Sequence, residues 1–162
     1  LHGAAEAWLL ADAIASANVS VILDPAENLP RNFDAVFATT ANAARLHAAG
    51  VSVAIVGPPA GHDAELLRIH AGIAAANGMP ADAALRAVTS VPARILGLPR
   101  IGEIAVGHQA DLAVWSGDPF EPLSNLEVLM LSGKLQSLES RQQALGRKYR
   151  QPLSGSAENG AL

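Results

Sequence analysis

Ala84 to Pro119 reads ALRAVTSVPARILGLPRIGEIAVGHQADLAVWSGDP, and it joins a helix, a glycine-rich turn and a strand in a fixed order. Ala84, Leu85, Ala87, Val88 and Val91 recur at near-helical spacing and predict one apolar helix face. Pro92 lacks an N–H and biases the residues before it away from a continuing helix, so one helix ends and a short second one follows. Ala93, Ile95 and Leu96 would pack that second turn. Gly97 suits a left-handed C-cap, and Pro99 just beyond it stops the helix from resuming. Ile101, Ile104 and Val106 then surround Gly102, and Gly107 to Gln109 reads as a tight turn. Ala110 to Trp115 is an apolar strand broken by one carboxylate, Asp111, and Ser116 to Pro119 is a second turn. A short acid directly after a turn commonly accepts neighbouring backbone N–H groups, so Asp111 is read as a structural cap and not as a catalytic acid.

Composition bounds the rest. The chain has 162 residues, half of them apolar, which suffices for a sizeable buried core. A net charge of −4 with 11 Lys plus Arg argues against a nucleic-acid surface. Arg141, Arg147, Lys148 and Arg150 cluster where a helix C-terminus would favour cations. Without cysteine, neither disulfides, thiolate metal sites nor a cysteine nucleophile can be invoked. No apolar run approaches the ~20 residues needed to span a bilayer, so no membrane is expected, and the absence of a signal peptide in these residues favours the cytoplasm. Nucleotide and serine-hydrolase motifs are missing, including around Gly133-Lys134.

Along the chain, Ala4, Ala7, Trp8, Leu10, Ala11 and Ile14 predict a helical face almost from Leu1, so something is expected to precede it. Val19 to Leu23 and Val51 to Val56 read as short buried strands, with an alanine-rich helix from Ala38 to Ala49 between them and Gly50 as its stop. Strand, helix, strand in that order predicts parallel pairing with a right-handed crossover. A further helix is expected from Asp63 to Ala76, ended by Asn77-Gly78, with Pro80 opening the next. Gln151 to Leu162, rich in Ser, Gly and Asn, reads as a disordered tail.

These residues resemble the C-terminal end of the metal-dependent amidohydrolases. The likeness rests on the stretch quoted above and, beyond it, on GAAEAW at Gly3 to Trp8, VILDPAENLPRNFDA at Val21 to Ala35, NAARLHAAGVSVAI at Asn42 to Ile55 and SRQQALGRKYR at Ser140 to Arg150, which look like the imidazolonepropionase-like subgroup. The resemblance implies an α/β fold: the C-terminal part of a (β/α)8 TIM-type barrel over residues 1–97, strands of a small accessory β-sandwich over 98–136, a terminal helix over 137–150 and the tail over 151–162. The strands at Val19 to Leu23 and Val51 to Val56 would be the barrel's seventh and eighth. It also implies a hydrolase of cyclic amide, amidine or peptide-like C–N bonds using metal-activated water, with zinc the expected divalent ion and a small molecule as substrate.

The same resemblance locates the candidate site. An aspartate is expected at the end of the eighth strand, yet Val51 to Val56 runs into Gly57-Pro58 with no carboxylate. The nearest is Asp63, preceded by His62; Asp63 is either a displaced proton shuttle with His62 as a metal ligand, or a cap of the helix that follows. His2 falls where the sixth strand would deliver a metal-binding imidazole, although one histidine is not a site. His47, His70 and His108 are expected to face solvent or pack partly, Trp8 and Trp115 to be core aromatics, and Arg31 to be an exposed loop residue. The alternative function is an inactive amidohydrolase-fold scaffold or a gene fragment. Two barrel strands leave unpaired edges, so either the missing N-terminal barrel portion or a second copy is the expected partner.

Overall fold

Two short strands, β1 (Val21–Leu23) and β2 (Val53–Ile55), pair in parallel with Val21 opposite Val53, Ile22 opposite Ala54 and Leu23 opposite Ile55. The computed structural model that shows this describes residues 1–58 and 65–150. The first residues extend the sheet on the other side of β1: Ile22 N–H donates to Leu1 O, Gly3 N–H donates to Ile22 O, and His2 stands opposite Ile22 in parallel register. The strands are wholly apolar because helices cover one face and the chain packs on both sides of β2.

Between β1 and β2 runs the crossover. A 3-10 turn at Ala7–Leu10 and α1 (Ala11–Ser16) precede β1, and α2 (Asn42–Ala48) leads back to β2. The α2 helix starts four residues later than its alanine content suggests, because Thr39 takes the leading turn: Asn42 N–H donates to Thr39 O and Ala41 N–H to Thr39 Oγ1. Asn42 is fully buried and both ends of its amide are used, accepting from Trp8 N–H at 3.1 Å and donating to Ala4 O at 3.0 Å. Trp8 is half-buried, donates its indole N–H to Phe37 O and lies 4.0 Å beneath the Arg45 guanidinium.

Three helices follow: α3 (Leu67–Ala76), α4 (Ala81–Ala87) and α5 (Ser90–Ile95). The expected break before Pro92 falls between α4 and α5, and Pro92 is tolerated in the first turn of α5, where no intrahelical N–H is required. At the end of α5, Leu98 N–H reaches back to Ala93 O with Gly97 left-handed at φ +69, the closure expected there. The core gathers Val21, Leu23, Val53 and Ile55 with Leu46 and six alanines of α2, α3 and α4, namely Ala43, Ala71, Ala74, Ala83, Ala84 and Ala87. On the solvent face of α4, the hydrogen bond from Arg86 holds the Asp82 carboxyl below its usual range, and exposure of both partners keeps their effect on stability small.

A second sheet is antiparallel and three-stranded: β3 (Leu112–Trp115), β4 (Leu126–Leu131) and β5 (Lys134–Leu135), in that order. Asp111 is structural, but its backbone partner is not local. Its Oδ1 accepts from Ser132 N–H at 2.6 Å, pinning the β4–β5 turn, while Gln109 donates to Oδ2. A last helix, α6 (Arg141–Arg150), carries the basic cluster, and the expected tail at 151–162 lies outside the described residues.

One side chain joins the two sheets' surroundings. Half-buried Arg68 of α3 donates to Pro119 O, Glu121 O and Pro122 O at 2.9, 2.7 and 3.3 Å, and its guanidinium lies 4.9 Å from the Trp115 ring centre. Hydrogen bonds from a charged donor contribute more than neutral ones, so Arg68→Ala is expected to destabilise the protein by ~1.5–3 kcal/mol. Denaturant unfolding measures the loss, and Trp115 emission in a Trp8→Phe background should shift to the red; unchanged emission and midpoint would refute the tether.

Candidate functional site

Parallel α/β sheets present their sites at the C-terminal ends of the strands, and here those ends are Leu23-Asp24 and Ile55 to Pro58. Strand geometry sorts the side chains. Val21, Leu23, Val53 and Ile55 face the helices, whereas His2, Ile22 and Ala54 form one row across the sheet on the opposite face. In a closed barrel that face is the interior. The His2 side chain is exposed and makes no hydrogen bond among the described residues.

After β1 the chain turns at once. Asp24 is extended, its Oδ1 accepts from Ala26 N–H at 2.9 Å, and Pro25 starts a 3-10 turn at Pro25–Glu27. That turn packs against α3, and Asp24 Oδ1 lies 2.7 Å from Nδ1 of His70 on that helix. Both groups are largely buried, His70 to 8% exposure. The ring stands out of line for a hydrogen bond, so Nδ1 has no hydrogen-bond partner among the described residues despite this proximity. Its helical setting suggested a solvent-facing or partly packed ring, but His70 is buried: α3 turns it inward beside Ala71 and Ala74. Asn28, which ends the same turn, is 2% exposed, and its Nδ2 finds no partner among the described residues.

At the end of β2, Val56 N–H donates to Leu23 O and the chain enters Gly57-Pro58. A Cβ on Gly57 would lie 3.3 Å from Leu67 Cα, so a side chain here would press on the start of α3. His62 and Asp63 lie outside the described residues. The described helix begins at Leu67, and Leu66 before it makes no side-chain cap bond.

Other candidates are placed elsewhere. Arg31 pairs with Glu27 at 2.6 Å on the surface. His47 and Arg86 line a cavity of about 190 Å³ around Gly50 to Val53, at the opposite end of β2. His108 borders a cavity of about 290 Å³ with Ser90, Arg94, Leu98, Ile101 and Glu103, between α5 and the loop before β3. No cluster of three or more His, Asp or Glu side chains able to hold a metal occurs among the described residues.

The Asp24–His70 contact escaped the sequence reading. Asp24-Pro25 was legible as a strand end and His70 as helical, but nothing local joins residues 46 positions apart; only the packing of the 3-10 turn on α3 does so.

Comparison with known proteins places this geometry. The model of the Amidohydrolase family matches residues 2–139. The amidohydrolase tasK of Hapsidospora irregularis is 49% identical over 43 residues, which are 26% of this chain and 4% of that protein. The crystal structure of an amidohydrolase from Thermotoga maritima superposes with a TM-score of 0.76 at 28% identity, over 84% of this chain and 36% of that one. That of a prolidase complexed with N-methylphosphonate-L-proline gives 0.62 at 20% identity over 80% and 38%, a likeness of fold alone. This chain spans little more than a third of the length of these solved relatives. The likenesses agree with an α/β fold that forms part of a TIM-type barrel. No helix among the described residues is long and apolar enough to cross a membrane.

Proposed function

The chain belongs to the amidohydrolase family, and on that premise we propose that it is the C-terminal part of an imidazolonepropionase-like hydrolase that cleaves cyclic amide, amidine or peptide-like C–N bonds with metal-activated water. The observation that carries the reading is the row His2, Ile22, Ala54. It sets an unengaged imidazole on the sheet face opposite the helix-packed core, beside two parallel strands in barrel-like order. Residues 1–97 would complete the barrel, 98–136 would belong to an accessory β-sandwich, and 137–150 would form the terminal helix.

Amidohydrolases are in general metal-dependent, zinc being the ion proposed here. The described residues do not by themselves fit one. A structural or catalytic zinc needs three or four protein ligands, and His2 supplies one imidazole without carboxylate or histidine neighbours at ligand spacing. The remaining ligands would come from His62 and from chain beyond this one, so no step is routed through the metal here. What this chain would contribute is His2 at the barrel face and Asp63 as proton carrier. Large exposed apolar side chains, including Phe33 at 98% and Leu123 at 91%, support a partner that covers them, either the rest of the barrel or a second copy. The cytoplasm is the proposed compartment.

A second reading has its own support. Gly57-Pro58 stands where a proton-carrying aspartate is expected and supplies no carboxylate, and this favours a catalytically inactive scaffold. Elemental analysis and turnover of cyclic amides and dipeptides by the complete protein decide between them. Bound divalent metal and a hydrolysis abolished by chelation are expected, and a metal-free, inert protein selects the scaffold. If Asp63 carries the proton, Asp63→Asn reduces kcat by ~100-fold or more; unchanged turnover removes Asp63 from the mechanism.

A further inference from the structure

We draw no further inference here: the strongest candidate, the apolar face of the three-stranded sheet on which Leu112, Val114, Val128, Met130 and Leu135 stand together across β3, β4 and β5, leaves Val114, Val128 and Leu135 exposed, but nothing in the structure shows what covers it.

Discussion

Replacing Gly102 with alanine is expected to lower the stability of the protein by ~3 kcal/mol or more. Two effects add at this residue. Its φ is +82, a region that costs an L side chain ~1–2 kcal/mol. The new Cβ would also lie 2.6 Å from Thr89 O, 2.8 Å from Thr89 C and 2.9 Å from Ser90 Cα. All three are backbone atoms at the start of α5, so no side chain can swing aside; the Ile101–Glu103 loop or the helix itself must move. Gly107→Ala is the control. It shares the backbone region, with φ +85, but nothing lies within 4 Å of its added Cβ, so it should lose only the ~1–2 kcal/mol of conformational strain. Denaturant midpoints at a constant m-value measure both. Equal losses at the two glycines would show that the close approach to Thr89 does not exist in solution.

That contact also shows where sequence was informative. The order helix, stop, glycine turn, strand between Ala84 and Pro119 was readable because each step depends on local chemistry: Pro92 on its missing N–H, Gly97 and Gly107 on positive φ. The reason for Gly102 was not, since what it abuts is the backbone of Thr89, thirteen residues earlier. Parallel pairing of β1 and β2 was likewise legible from apolar runs flanking an alanine-rich helix. Contacts that span long separations were hidden: Arg68 on the carbonyls after Pro119, Asp111 on Ser132, and Asp24 on His70. Of the three proposed site residues, His2 stands opposite Ile22 at the edge of the parallel sheet, while His62 and Asp63 fall outside the described residues. Nothing in the strand pattern revealed that Gly57 abuts the backbone of Leu67.

Leu23→Ala is expected to have an effect as large, a loss of ~3–5 kcal/mol. Six of the core side chains from α2, α3 and α4 are alanines, which lets these helices approach β1 and β2 closely. The volume between them is then filled by few large groups, and Leu23, Leu46 and Val21 are among the largest that are fully buried. Alanine methyls cannot reorient to fill a gap, so a cavity at position 23 would persist, and residual cavities bring the upper part of the range for such substitutions. Two backbone hydrogen bonds flank the position, from Val21 N–H to Ser52 O and from Val56 N–H to Leu23 O, so the strand is also unable to slide into the space. Against a typical total of ~5–15 kcal/mol, the variant would be close to unfolding at ambient temperature. Leu9→Ala, at a residue 48% exposed, should lose less than ~1 kcal/mol by the same measurement. Because Leu23 immediately precedes Asp24, the variant should also loosen the turn that holds the carboxylate beside His70, and amide exchange at Ala26 would rise before global unfolding. A loss below ~1 kcal/mol at Leu23 would contradict the packing of β1 against these helices.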